Sequence, residues 1–210
     1  MYNNYFKRIF DLIFALILFP IVCLVGFPIA IAVKINDGGP IFYRSKRIGR
    51  NKVVFDMLKF RSMQVNAPDW RLEDGSTFNS QDDPRVTKIG RILRETSLDE
   101  IPQIWNVLVG QMSFIGPRPG DVESIDNYQD DELDKFKVRP GITGYAQAYY
   151  RNSASVREKR LLDAWYANHV SAAMDLKIFF KTVVVVLLRS NVYQNVESIE
   201  DIEESEKVQK

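Results

Sequence analysis

The chain is poor in two residue types that build many catalytic centres, with one cysteine, Cys23, and one histidine, His169. A single cysteine excludes a disulfide within the chain and a cysteine-based metal centre, and it fits a reducing compartment. A single histidine argues against a multi-histidine metal site and against Ser-His-Asp chemistry. His169 closes a helical pattern, so we expect it at a helix end. The remaining candidates for chemistry are carboxylates and basic side chains.

Charge is nearly balanced over the 210 residues, at a net +1, but it is unevenly placed. From Met1 to Met63 there are ten Lys and Arg against three Asp. This basic first part favours anionic partners, which include phosphates, nucleic acid and a lipid surface. The acidic tail, residues 194–210, has no apolar periodicity and is expected to be disordered.

The longest apolar run extends without a charge from Leu12 to Val33. Its 22 residues would form a helix of about 33 Å, which is long enough to cross a bilayer. Pro20 and Pro28 interrupt the run, and interior prolines bend helices. Both flanks are basic, and basic flanks favour the cytoplasmic side. The sequence therefore favours a re-entrant helix over residues 1–36, bent at a proline, over a simple span, with both ends cytoplasmic.

The remaining sequence predicts an α/β fold that is mostly helical with a small β-hairpin. The hairpin is expected within residues 40–63, around a turn at Gly49-Arg50-Asn51. Residues 64–84 are expected to form a loop, and helices are expected near residues 102–109, 123–137 and 156–169, the second of them charged and exposed. Residues 174–190 fit a core helix, a core strand or an interfacial helix, and no linker divides residues 37–193.

Two adjacent carboxylates, Asp99 and Glu100, lie in the stretch "ETSLDEIPQIWN". One interpretation is a capping box, in which Ser97 and Glu100 start a helix. Pro102 opposes it, because proline prefers the first helical position and would otherwise lie in the helix interior. The other interpretation is that the pair carries chemistry.

Two further stretches, "GPRP" (116–119) and "RPGITG" (139–144), each place an arginine in a backbone stiffened by proline and glycine. Arginine matches phosphate oxygens, and glycine lets backbone amides approach an anion closely. Each loop alone is better explained as a tight turn. Together with the cations of "KFR" (59–61) and with Arg91 and Arg94, the loops favour a phosphate-handling site. "DDP" (82–84) has the wrong spacing for a metal-binding pair and is expected to form a turn.

At this point the motifs resemble the bacterial sugar transferase family, the small monotopic phosphoglycosyl transferases. The motifs are "KRIFDL" (7–12), "LKFRSM" (58–63), "DPRVTKIGRILRETSLDEIPQIWNVLVGQMSFIGPRP" (83–119) and "VRPGITGYAQ" (138–147). They follow the family's order from about Tyr5 to Tyr193. The resemblance implies a monotopic membrane protein with an N-terminal re-entrant helix and interfacial amphipathic helices.

The resemblance also implies a reaction, in which a sugar-1-phosphate passes from a UDP-sugar to a polyprenyl phosphate with release of UMP. It implies Mg²⁺ as cofactor and the cytoplasmic face of the bacterial inner membrane as location. The implied partners are the UDP-sugar, the polyprenyl phosphate lipid and the membrane, but no nucleic acid. The resemblance leaves open whether the chain forms a homo-oligomer.

By the same resemblance Asp99 is the nucleophile and a Mg²⁺ ligand, and Glu100 assists it. The residues implied to bind substrate or phosphate are Lys59, Arg94, Pro117, Arg118, Pro119, Arg139, Thr143 and Gln147. Two other hypotheses stay open at this stage. One is a glycosyltransferase that moves the sugar alone and releases UDP, and the other is a non-catalytic assembly scaffold.

Overall fold

The computed structural model describes residues 2–70, 78, 80, 82–150 and 153–188. The acidic tail lies outside these residues. After a π-helical turn, Tyr2–Phe6, the long helix α1 occupies Lys7–Asp37 and ends at Gly38, whose φ of 71° is left-handed. α1 continues as one helix through Pro20 and Pro28, so the bend at either proline stays a prediction.

One stripe of α1 packs on the rest of the molecule. Its buried residues follow helical spacing along the whole length: Lys7, Asp11, Ala15, Gly26 and Val33. The other faces expose large apolar side chains from Ile9 to Ile35. Among the described helices, α1 alone is long and apolar enough to cross a membrane, by length and composition.

Polar contacts hold both ends of α1 against the same body. Near its start, Asp11 Oδ1 accepts hydrogen bonds from Ser113 Oγ (3.0 Å) and from the backbone N–H of Phe114 (3.1 Å). At its end, Asp37 forms an ion pair with the buried Arg61. α1 therefore lies along the domain rather than projecting from it.

The predicted hairpin is confirmed. β1 (Phe42–Ile48) and β2 (Val54–Phe60) pair antiparallel, and a 3₁₀ turn at Arg50–Lys52 joins them. β4 (Gly120–Asp121) adds to the free edge of β1. The helix predicted near residue 102 is also confirmed as α3, Gln103–Leu108, and it packs with α1 and β2 around Met57 and Val107.

A second small sheet joins the two glycine- and proline-rich loops. β3 (Ser113–Ile115) and β5 (Gly141–Thr143) pair in parallel, and Gly116 N–H donates to Thr143 O at 2.9 Å. A Cβ at Gly144 would overlap the carbonyl of Gly116. The loops can therefore approach this closely only because both positions are glycine.

The remaining helices are α2 (Lys88–Glu95), α4 (Tyr145–Tyr149), α5 (Val156–Asn168) and α6 (Ala172–Leu187). α5 confirms the predicted helix, with His169 as its C-cap. α6 shows that the core-strand alternative for residues 174–190 is wrong. It buries Asp175 and Ile178 but exposes Leu176, Phe179, Phe180, Val183, Val184 and Leu187.

The charged, exposed helix expected at residues 123–137 is wrong. The chain forms two 3₁₀ segments there, Val122–Asn127 and Asp130–Lys137. In the second, Glu132 is buried because α5 supplies its partners: Arg157 at 3.0 Å and Arg160 at 3.5 Å. Charge in this segment therefore marks ion pairs with α5 rather than a solvated face.

Candidate active site

The dyad lies in a short 3₁₀ segment, Leu98–Glu100, between α2 and α3. Thr96 is the C-cap of α2, and Ser97 follows it with a left-handed φ of 58°. Such a residue directly after a C-cap terminates a helix. Ser97 makes no side-chain capping hydrogen bond, so the capping-box interpretation is wrong. The consequence is a tight reversal that buries Asp99, with 8% of its surface exposed.

A lysine from β2 reaches the dyad. Lys59 Nζ lies 2.6 Å from Glu100 Oε1, and both side chains are partly exposed. Asp99 itself forms no ion pair with any residue that the structure describes. Lys59 therefore pairs with Glu100, and the more deeply buried Asp99 is left without an ion pair among the described residues.

Burial raises the pKa of Asp99 to about 6. The charge of Glu100 adds to the increase, whereas Lys59 and Arg94 oppose it. The N-terminus of α3 does not offset this effect, because α3 begins only after Pro102 and desolvation dominates. A carboxylate with this pKa is ionised at neutral pH and is more basic than a solvated one, which suits a nucleophile.

An open cleft adjoins the dyad through Glu100, which lines it. Five residues predicted from the sequence line it together: Lys59, Glu100, Arg118, Pro119 and Gln147. They come from β2, the dyad segment, the "GPRP" loop and α4. The fold thus brings residues that are up to 88 positions apart to one cavity that is rich in positive charge.

Two further polar residues line the cleft that the sequence interpretation missed. Arg47 comes from β1, where it also pairs with Asp121 at 3.3 Å. Gln103 opens α3 and is buried beside Glu100. The sequence did contain a clue to the position of Gln103. A helix that starts near Pro102 places Gln103 in its first turn, next to the dyad. Arg47 had no comparable local signal.

The "GPRP" loop is held from beneath by a buried ion pair. Asp163 Oδ2 accepts a hydrogen bond from the backbone N–H of Arg118 (3.1 Å) and lies 3.0 Å from Lys135 Nζ. Pro117 is buried, while the side chain of Arg118 is exposed at the cleft. The backbone of the loop is therefore fixed and its guanidinium is left available for an anion.

Four residues predicted to bind substrate or phosphate lie outside the residues that line the cleft, namely the buried Pro117 and three polar residues. Arg94 donates from Nε to Ser62 Oγ at 3.0 Å and is close enough to lower the pKa of Asp99. The hydroxyl group of Thr143 is hydrogen-bonded to a residue of α6, with its Oγ1 2.8 Å from Thr182 Oγ1. Arg139 turns away from the cleft, and its Nε donates to Gly110 O at 2.9 Å.

The donor set at the dyad fits a magnesium ion shared with substrate. Asp99 and Glu100 supply two hard carboxylate groups, and no group of three or more acidic, histidine or cysteine side chains forms a metal cage in the described part of the chain. Mg²⁺ in phosphate-transfer sites is commonly held by one or two carboxylates together with substrate phosphates and water.

Comparison with known proteins gives consistent matches. Residues 2–189 match the family model described as Bacterial sugar transferase. The chain is 36% identical over 202 residues to the exopolysaccharide production protein ExoY of Sinorhizobium fredii, and the match covers 89% of this chain and 88% of the relative.

Two other relatives have names that specify a reaction. The undecaprenyl-phosphate galactose phosphotransferase of Salmonella typhimurium is 36% identical over 205 residues, which cover 91% of this chain and 42% of the relative. The UDP-glucose:undecaprenyl-phosphate glucose-1-phosphate transferase of Escherichia coli is 40% identical over 193 residues, which cover 86% and 40%. The chain spans about two fifths of the length of several curated relatives that it matches.

Proposed function

Because the chain belongs to the bacterial sugar transferase family, we propose that it moves a sugar-1-phosphate from a UDP-sugar to a polyprenyl phosphate and releases UMP. The names of the Salmonella and Escherichia coli relatives specify this class of transfer. The observation that carries the proposal is the buried Asp99 beside a cleft that gathers Lys59 and Arg118. The product is the first lipid-linked intermediate of a cell-surface glycan.

The cleft suits the diphosphate of the donor. Arg47, Lys59 and Arg118 supply positive charge around the cavity, and the guanidinium groups offer paired donors to phosphate oxygens. These charges lower the repulsion between a diphosphate and an anionic nucleophile, and they stabilise the charge that develops during transfer. Mg²⁺, when bound to Asp99 and Glu100, would neutralise further phosphate charge.

In the proposed first step, a carboxylate oxygen of Asp99 attacks the phosphorus that bears the sugar. A bond forms between that oxygen and phosphorus, and the bond from phosphorus to the bridging oxygen breaks, so UMP leaves with the bridging oxygen. In the second step a phosphate oxygen of the polyprenyl phosphate attacks the same phosphorus and releases the Asp99 carboxylate. Glu100 and Lys59, in contact at 2.6 Å, are placed to orient the incoming phosphate and to hold its proton.

We also propose that the protein sits on one side of the bacterial inner membrane, on its cytoplasmic face. The exposed apolar side chains of α1 and α6 suit hydrocarbon and the lipid interface, respectively. Both ends of α1 contact the same domain, and this supports a helix that enters and returns over one that crosses. Arg8 and Lys34 at its two ends suit the same anionic surface.

The test of the reaction is nucleotide release from a panel of UDP-sugars by the purified chain with undecaprenyl phosphate and Mg²⁺. We expect UMP, and UDP without UMP would instead establish transfer of the sugar alone. Asp99→Asn should fold normally and lose at least about a thousandfold in rate, because it lacks the nucleophile. Asp56→Asn, an exposed carboxylate on β2, is the matched control and should keep its activity.

A second measurement separates the covalent route from direct transfer. Without polyprenyl phosphate, intact-mass spectrometry of the wild type should show an adduct of one sugar phosphate, absent from Asp99→Asn. UMP release at a normal rate by Asp99→Asn would eliminate Asp99 as nucleophile. No adduct under single-turnover conditions, with activity retained, would eliminate the covalent intermediate.

Topology is tested by labelling single cysteines placed at Asn3 and Asn51 in a Cys23→Ser background. We expect a membrane-impermeant reagent to reach both positions from the cytoplasmic side only. Labelling of the two positions from opposite sides would establish a span.

A further inference from the structure

Three arginines converge at the C-terminal end of α3, from separate parts of the chain. Arg8 of α1 donates to Val107 O at 2.6 Å and to Leu108 O at 3.0 Å. Arg139 donates from Nε to Gly110 O, and its charge interacts with Arg8 and with Arg50 of the hairpin turn. We call Arg8, Arg50 and Arg139 the arginine cluster.

Much of the hydrogen-bonding capacity of the arginine cluster is unused. Arg50 Nε is buried, and the guanidinium of Arg50 makes no hydrogen bond or ion pair with any residue that the structure describes. The two terminal nitrogens of Arg139 likewise donate to no described residue, because only its Nε has a partner. A buried guanidinium donor without an acceptor is costly, so this arrangement is incomplete as it stands.

The cluster also has an excess of positive charge. The pKa of Arg139 lies below its usual range, chiefly because of burial and then because of Arg8 and Arg50. The one acidic side chain that opposes this shift is Asp11, which already accepts hydrogen bonds from Ser113 and Phe114. An anion would relieve the repulsion and satisfy the free donors together.

The position of the cluster indicates where the anion comes from. Arg8 lies in the first turn of α1, directly before the exposed apolar side chains of Ile9, Phe10, Ile13 and Phe14. A phosphate held there would sit where the apolar surface begins, which is the level of lipid headgroups. None of the three arginines lines the catalytic cleft, although Gly141, two residues after Arg139, does. Gln103 lines the cleft at the opposite end of α3, about 9 Å away along a six-residue helix.

We propose that Arg8, Arg50 and Arg139 form a second anion site, separate from the catalytic cleft, that binds the phosphate of an anionic membrane phospholipid. The bound phosphate joins the start of α1, the hairpin turn and the segment before β5, and it sets the domain's height on the bilayer. The assignment of the phosphate to a lipid depends on the membrane association proposed above. The existence of the anion site does not depend on it.

The test is isothermal titration of the full chain in neutral detergent micelles. Three probes are compared: phosphatidylglycerol, phosphatidylcholine of the same chain length, and inorganic phosphate. We expect saturable binding of phosphatidylglycerol that Arg50→Gln weakens at least about tenfold, because one guanidinium's charged hydrogen bonds are lost. Lys52→Gln removes the same charge from an exposed position in the same turn and should change the affinity less than twofold.

The outcomes separate the alternatives. If Arg50→Gln and Lys52→Gln weaken the binding of phosphatidylglycerol equally, or if no saturable binding is seen, the proposed site is overturned. The arginine cluster would then contribute only surface charge or helix capping. If inorganic phosphate binds as tightly as phosphatidylglycerol, with the same dependence on Arg50, the assignment of the anion to a lipid is overturned. Asp99→Asn should bind phosphatidylglycerol like the wild type, so a failure of the proposed reaction remains distinguishable.

A fold defect in Arg50→Gln is controlled by circular dichroism and by a second variant. Arg50→Lys keeps the charge but loses the planar fork, and we expect an affinity between those of the wild type and Arg50→Gln. Wild-type affinity in a folded Arg50→Lys would show that the site reads charge alone and would overturn the hydrogen-bonding role.

Discussion

Buried carboxylates have different partners in two regions of the molecule, the dyad beside the catalytic cleft and the interface between the 3₁₀ segment Asp130–Lys137 and α5. At the interface every buried acid has a cation, since Glu132 contacts Arg157 and Arg160, and Asp163 contacts Lys135. In the cleft, Lys59 pairs with Glu100, and Asp99 has no ion pair among the described residues. The buried carboxylates are therefore neutralised by cations at the interface with α5, whereas Asp99 beside the cleft has no ion pair among the described residues.

The comparison predicts that cations have different roles in the two regions. Removing a cation from the interface should mainly lower the free energy of unfolding. Removing one from the cleft should mainly lower the rate of transfer. The following variants test this division, from the largest expected effect to the smallest.

Lys135→Met should have the largest effect on stability, because it leaves the fully buried Asp163 without its ion pair. We expect a loss of about 3–5 kcal/mol in the free energy of unfolding. Thermal unfolding in detergent measures it, with Lys137→Met as the control. Lys137 pairs with Asp134 at the surface, so its removal should leave the melting temperature unchanged. A similar melting temperature for both variants would contradict the division.

Lys59→Met should lower UMP release about a hundredfold, which corresponds to about 2.7 kcal/mol of transition-state stabilisation. Its ion pair with Glu100 is partly exposed, so we expect a stability loss of only about 1 kcal/mol. Lys46→Met removes an exposed lysine from the neighbouring strand β1 and should be silent in both assays. A Lys59→Met protein that is much less stable but fully active would reverse the assigned roles.

Asp99→Asn should stabilise the metal-free protein at pH 8 by about 3 kcal/mol, measured by thermal unfolding with a chelator. The folded pKa of about 6 lies above the usual 3.8, so the ionised carboxylate is disfavoured in the fold. The cost of ionisation is complete above pH 6 and disappears as the pH falls towards 4. The advantage of Asn should therefore vanish below pH 4. Added Mg²⁺ should reduce it at pH 8 by stabilising the wild type, and a difference independent of pH would refute this origin.

Thr87→Ala should have the smallest effect, about 1 kcal/mol, because it removes the N-cap of α2, where Thr87 Oγ1 accepts from Gly90 N–H at 2.9 Å. We expect nearly unchanged UMP release, since only the far end of α2 carries Arg94 towards the dyad. Circular dichroism melting and the nucleotide assay measure the two quantities. A large loss of activity would show that the cleft depends on the start of α2.

Local patterns in the sequence predicted much of the fold. The alternation around Gly49-Arg50-Asn51 predicted the hairpin, and Pro102 predicted the start of α3. The pattern Ser-x-x-Glu failed at Ser97 because the end of α2 claims that residue in a left-handed conformation. A short motif does not reveal which neighbouring helix will use it.

The long-range arrangement was beyond local patterns. The two stiff loops were recognised separately, but nothing local predicted that β3 and β5 pair in parallel and join them. Lys59, Glu100, Arg118, Pro119 and Gln147 were identified through the family resemblance, and the fold brings them to one cleft. The side chain of Arg139 turns towards the carbonyl of Gly110 because that acceptor is exposed at the end of α3. Such a choice depends on packing.

The ion pair between Lys7 and Asp175 has a consequence for biosynthesis. The two residues are 168 positions apart, so the partner of Lys7 emerges roughly ten to thirty seconds after it at common translation rates. The carbonyl groups that accept hydrogen bonds from Arg8 are likewise synthesised about 100 residues later. During that interval α1 is an apolar helix without its domain. The helix must therefore be shielded by lipid or chaperones first, and translation of α6 supplies the last anchor that secures it.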